Sequence, residues 1–161
     1  MRKYTLSKSD THEIFDVLNN TWPKAVIPRN QKGIQIVEIE ENSSLIIGED
    51  LLAIKVDQYV LPLLTKEEAL KSFPSVSVDM GAVKFVCNGA KVMRPGIVQM
   101  DEFKKDDIVV IKDSTHGKYL AVGLALISSQ EAKIMSKGPV VDNKHYISDK
   151  FWEAYKESES G

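Results

Sequence analysis

The chain has 161 residues, 43% hydrophobic and 27% charged, proportions that exclude a disordered or fibrous chain and predict folded domains of ordinary core size. Lys and Arg number 21 against 23 Asp and Glu, a net charge of −2, so a polyanion would have to find a local basic surface. A single cysteine, Cys87, excludes an internal disulfide, and His12, His116 and His145 stand in no zinc-ligand spacing, so neither a metal nor a cofactor is expected. The opening MRKYTLSKSD lacks a signal-peptide apolar region, and charges or prolines break every apolar run short of the roughly 18 residues that span a bilayer. A cytoplasmic chain with no membrane contact is the expectation.

The first 75 residues read as a small α+β unit. Ile14, Phe15 and Leu18 recur at helical spacing over residues 8–19, with Ser7 and Asp10 resembling a capping box and the Trp22-Pro23 pair ending the helix. Ile34, Ile36 and Ile39 alternate with polar neighbours, and residues 51–56 and 59–63 are apolar and β-branched, so strands follow, with turns at 42–44 and 48–50. Thr65 and Glu68 predict the cap of a short helix running to Lys71.

Near Phe73-Pro74-Ser75 the pattern changes to short strands with turn signals about every ten residues, and the boundary is placed there. Strands are predicted over 96–100, 107–112 and 119–128, with 113–118, containing Gly117, as the hairpin loop between the last two. Gly123 inside a strand suggests a β-bulge. Ser128 and Glu131 cap another short helix, residues 138–141 read as a strand, and Ser148 caps a final helix carrying Phe151, Trp152 and Tyr155. The closing ESESG, residues 157–161, reads as a frayed tail. The halves carry similar charge, nine basic against eleven acidic residues up to Ser75 and twelve against twelve afterwards, so neither is a basic tail.

No catalytic spacing is present: there is no GxSxG, HExxH, Walker glycine loop or GxGxxG, and the chain is not expected to be an enzyme. Asp101, Glu102, Asp106 and Asp107 are interrupted by Lys104 and Lys105 and read as a solvated turn rather than a calcium loop. Cys87, between Val83, Phe85 and Val86, reads as a small buried hydrophobe, His116 as an exposed turn residue and His145 as a packed one. The informative stretch is 78–97. A short helix from about Met80, turning Ala82, Val83 and Val86 inward, ends at Asn88-Gly89, whose glycine suits a left-handed cap. The loop after it holds Lys91, Arg94, Pro95 and Gly96, so bare backbone and cations converge where a phosphate could approach, and Lys84 could join them.

These residues carry a resemblance. Val78-Asp79, Gly81-Ala82, Phe85-Val86, Asn88-Gly89-Ala90 and Arg94-Pro95-Gly96-Ile97 are similar to the signature of the PUA domain, named for pseudouridine synthase and archaeosine transglycosylase. Asp107-Ile108-Val109-Val110, Ala121-Val122-Gly123 and Lys137-Gly138-Pro139-Val140-Val141 resemble its later strands, so the resemblance covers about residues 76–156. The end of the chain, with His145-Tyr146, Asp149 and Trp152, resembles the malignant T-cell amplified sequence family and ligatin-like initiation factors, in which a small pre-PUA domain precedes the PUA barrel.

The fold so implied is α+β: a pre-PUA α+β domain over 1–75, then a PUA pseudo-barrel of mainly antiparallel strands with short helices over 76–156. The resemblance implies a non-catalytic RNA-binding protein of translation, docking on the small ribosomal subunit or on tRNA, with ribosome biogenesis or an accessory role in RNA modification as the alternative. Its implied partners are ribosomal RNA or tRNA, the small subunit and a second translation-factor protein. The implied RNA-binding residues are Lys84, Asn88, Gly89, Lys91, Arg94 and Gly96, with Lys137, Gly138, Pro139 and Val140 on the strand side.

Overall fold

The computed structural model describes residues 1–29 and 31–160, and the chain divides into two compact units: Met1–Ser72 together with the segment that begins at Ser148, and Phe73–Ile147. In chain order the elements are β1 (Arg2–Thr5), α1 (Lys8–Thr21), a 3-10 turn (Lys24–Val26), β2 (Gln35–Glu40), β3 (Ser43–Ile47), β4 (Leu52–Val56), β5 (Tyr59–Pro62) and α2 (Glu67–Leu70). The second unit contributes β6 (Ser75–Val78), α3 (Met80–Val86), β7 (Val92–Met93), a 3-10 turn (Arg94–Gly96), β8 (Ile97–Met100), β9 (Ile108–Asp113), β10 (Tyr119–Ala125), α4 (Ser129–Ile134) and β11 (Pro139–Tyr146). The chain then ends in α5 (Lys150–Ser160).

The first unit is built on a five-stranded antiparallel meander, β1 to β5 in sequence order. Period-two alternation makes both of its faces apolar. Ile36, Ile46, Ala53 and Pro62 stand in register on one, and Val37, Leu45, Ile54 and Leu61 on the other. Members of both rows are buried, so the sheet needs a cover on each side. α1 packs against β5, turning Thr11, Ile14, Phe15 and Leu18 inward, while α5 packs against β2 and β3 with Phe151 and Ala154 buried. The start of α1 is held as its sequence suggests: the Ser7 hydroxyl oxygen accepts the Asp10 N–H at 3.0 Å. Its end is the extended Trp22 backbone before Pro23, and the Trp22 indole N–H donates to the Val60 carbonyl at 2.9 Å.

Several expectations are corrected here. The last helix belongs to the first unit, so the second unit runs from 73 to 147 rather than to 156, because Phe151 and Ala154 are buried where the helix packs on β2 and β3. That helix extends to Ser160 where a frayed tail from 157 was expected, and its cap is Asp149, which accepts the Trp152 N–H at 2.9 Å, not Ser148. α2 starts after Lys66 rather than at Thr65. β1 and β3 were not anticipated: β1 is exposed throughout and shows no alternation, and β3 begins at Ser43, inside a stretch read as a turn.

The second unit is a nearly closed, barrel-like six-stranded sheet in the order β7-β11-β10-β9-β6-β8, antiparallel except for the parallel β6–β9 pair. Val76, Val78, Val109, Ile111, Leu120, Ala121 and Val141 fill its core. The β9–β10 hairpin forms where expected, closed by the buried Asp113 carboxylate, which accepts backbone N–H groups of His116 and Lys118. The Gly123 bulge is present as well: the β10–β11 register shifts between Val122 and Gly123, and a Cβ at Gly123 would stand 2.2 Å from the Asp142 carbonyl oxygen. The acidic stretch is structural, since Asp101 accepts the Ser75 N–H at 2.8 Å and Asp107 accepts that of Lys104 at 2.8 Å. His116 is exposed and His145 fully buried, as the sequence suggests. Among the described residues no helix is long and apolar enough to cross a membrane.

Two measurements check this packing. Phe151→Ala should cost about 3–5 kcal/mol of unfolding free energy by calorimetry, because it opens a cavity where the fully buried ring packs on the β2–β3 side of the sheet. The His116 N–H above all, opposed by burial and helped by the Lys118 N–H, holds the Asp113 carboxyl below the usual carboxylate range. Its contribution is therefore present above the unfolded-chain value of about 3.9 and lost as pH falls through the lower folded value. Asp113→Ala should lower the Tm by about 3–5 °C at pH 7, and the gap from the native chain should begin to narrow only as pH falls below about 4.

Candidate nucleic-acid interface

α3 is a short helix whose N-terminus is capped by Asp79, which accepts the Ala82 N–H at 2.9 Å. It ends where Gly89 takes the left-handed conformation at φ +89°, the geometry expected of a glycine cap. Space as well as backbone demands glycine there, since a Cβ would lie 2.9 Å from Cε1 of the Tyr146 ring. The chain then crosses Lys91 into β7, which pairs with β11: Met93 stands opposite Pro139 and Val92 opposite Val141. The Arg94 N–H continues this contact by donating to the Gly138 carbonyl at 2.8 Å. The pairing brings together the two stretches, 88–96 and 137–140, that the sequence nominates from more than forty positions apart.

The nominated residues take different roles. Lys84, Asn88, Lys91, Lys137 and Pro139 are exposed. Gly96 is partly buried, and a Cβ there would sit 3.0 Å from that of Ala82, so it lets the 3-10 turn lie close on α3. Gly138, at φ +112°, turns the chain into β11. Arg94 is half-buried and its Nε donates to the Ala132 carbonyl at 2.6 Å, which braces the turn against α4 and commits much of its donor capacity inward. Val140 leaves the candidate set: its side chain is fully buried in the barrel core, as alternation along β11 dictates, and its carbonyl accepts the Leu126 N–H.

Between α3 and the loop runs a groove of about 390 Å³, lined by Gly81, Ala82, Phe85, Lys91, Met93, Pro95 and Gly96 among others. Its apolar rim was not anticipated. Phe85, read from the sequence as one of the apolar neighbours burying Cys87, is 57% exposed, and Met93 is 47% exposed. The signal was available: with Ala82, Val83 and Val86 turned inward, Phe85 falls on the outer face of the helix. The Lys84 ammonium sits 5.2 Å from the Phe85 ring centroid. An exposed ring beside flexible cations can stack an unpaired base while lysines neutralise its phosphates. Cys87 stands apart from this chemistry, because burial pushes its thiol up despite the opposing charge of Lys118.

Gly89→Val should lower the Tm more than Gly117→Val, measured side by side. Both glycines have positive φ, but Gly117 has nothing within 4 Å of its absent Cβ whereas Gly89 has the Tyr146 ring.

Comparisons with known proteins agree with this architecture. Residues 74–147 match the PUA domain, almost coinciding with the second unit. An uncharacterized protein of Methanocaldococcus jannaschii is 37% identical over 157 residues, covering 94% of this chain and 95% of its own. Translation machinery-associated protein 20 of Saccharomyces cerevisiae is 29% identical over 149 residues, 87% of this chain and 79% of its own. The crystal structure of a hypothetical protein from Pyrococcus horikoshii superposes with a TM-score of 0.80 at 33% identity, covering 95% of this chain and 99% of that one. With a PUA domain in its second unit and relatives along nearly its whole length, the chain belongs to the PUA-domain family that includes translation machinery-associated protein 20 and the malignant T-cell-amplified sequence proteins.

Proposed function

We propose that this protein is a non-catalytic RNA-binding factor of translation that docks on the small ribosomal subunit or on tRNA through the α3 groove and the adjoining start of β11. A translation-related RNA-binding role is supported by the PUA domain together with relatives named for the translation machinery. The observation that supports the site is the β7–β11 pairing, which joins the end of the Phe85- and Lys91-lined groove at Met93 and Arg94 to Pro139 and Gly138, next in the chain to the exposed Lys137. Base stacking on Phe85 and phosphate contacts from lysines need neither metal nor nucleophile, and they favour single-stranded segments whose bases are free to splay. With a net charge of −2 the chain offers no long-range pull on RNA, so affinity rests on these few contacts and on a second protein or ribosomal surface.

The first test is crosslinking and sequencing of bound RNA in cells with gradient sedimentation of the same lysate. Small-subunit ribosomal RNA or tRNA in mature-subunit fractions is expected, and recovery only from precursor particles would move the role to biogenesis. In vitro, Lys84→Ala/Lys91→Ala should weaken binding of a fluorescein-labelled single-stranded RNA and reduce the slope of log K against log salt by roughly 0.7 per lost contact, with the Tm unchanged.

A further inference from the structure

The RNA-facing loop is held by a residue outside the family signature described above. Gly123 lets β11 come so close to β10 that a Cβ would meet the Asp142 carbonyl at 2.2 Å, and the register there shifts: Val122 faces His145 and Gly123 faces Asn143, with Lys144 as the extra residue. At this bulge the Asn143 amide reaches α3. Its Nδ2 donates to the Val86 carbonyl at 2.9 Å and to the Ala90 carbonyl at 3.1 Å. Those two carbonyls bracket the left-handed turn at Gly89. One lies directly after Lys84 and Phe85, the other directly before Lys91.

We propose that Asn143 is a positioning residue for RNA: one side-chain amide clamps both ends of the α3 cap to β11 and so sets where Lys84, Phe85 and Lys91 stand. This rests on the reading of the groove as the RNA site. Stability alone does not explain the residue. The Asn143 Oδ1 is buried with no hydrogen-bond partner, so the amide keeps its orientation at the expense of an unsatisfied acceptor. Nor do the carbonyls depend on it for satisfaction: the Val86 carbonyl also accepts the Gly89 N–H at 3.0 Å, and the Ala90 bond lies at the solvent-exposed side where water can replace it. Removing the amide therefore removes an orphaned oxygen along with two replaceable bonds. What it does not replace is the fixed separation between helix end, loop and strand.

Asn143→Ala removes the clamp, and Asn143→Asp keeps its size while setting an acceptor against two carbonyl oxygens. Each variant is compared with the native protein and with Lys84→Ala/Lys91→Ala for Tm and for binding of a fluorescein-labelled single-stranded RNA across a salt series. Both should bind about tenfold more weakly, with a salt slope that falls toward that of the lysine double variant and a Tm within a few degrees of native. A purely structural residue would move the Tm and leave the slope alone. Native affinity and slope in both Asn143 variants, with binding lost in the lysine variant, would overturn the positioning role while leaving the RNA site in place. Native affinity in the lysine variant would instead overturn the reading of the site. A Tm loss above roughly 10 °C in both Asn143 variants would assign the residue to the fold and overturn the proposal as well.

Discussion

The candidate interface depends on the antiparallel contact between Val92–Met93 and the start of β11. Two residue pairs and the Arg94 N–H bond to Gly138 place a loop that follows α3 beside a strand that enters the barrel much later in the chain. Neither stretch makes a surface alone. A loop rich in glycine and cations has no fixed shape in isolation, since ordering it costs about 1–2 kcal/mol per residue in backbone entropy. The strand supplies that order, because β11 is already fixed on its other edge by β10 and by the buried Val140 and Val141 side chains.

Glycine matters at this contact for two separate reasons. At Gly89 the backbone needs positive φ and the Tyr146 ring leaves no room for a side chain, so the helix can end abruptly over β11. At Gly123 the φ is ordinary and the constraint is approach: the carbonyl of Asp142 occupies the place of a Cβ. The first residue stops the helix and the second lets β11 lie close on β10. Cations and the exposed ring are then carried by a scaffold that is rigid without a disulfide or a long helix.

The first unit follows a different logic. Its sheet carries apolar rows on both faces, and each needs a cover. α5 packs on β2 and β3 after the chain has completed the second unit, and the cap at Asp149 starts it. Contacts between distant parts of the chain are slow to form but add little further loop entropy per residue once closed, so such an arrangement costs folding speed more than stability.

Local signals were legible in the sequence by itself. Ser7, Ser128 and Asn88-Gly89 mark helix ends through bonds and dihedral preferences that span four residues, the 113–118 hairpin is closed by residues within it, and Gly123 announces a bulge. The two-unit α+β architecture was legible from the change of pattern near Phe73. Tertiary structure decided the rest. The C-terminal helix joined the first unit because apolar spacing says that Phe151 must be buried but not against what. Val140 went to the core because alternation fixes faces only relative to neighbours, and which face meets water is settled by packing. Arg94 turned inward for the same reason, and Asn143 entered the site only through contacts to carbonyls 57 and 53 positions away, a separation across which a single sequence carries no signal.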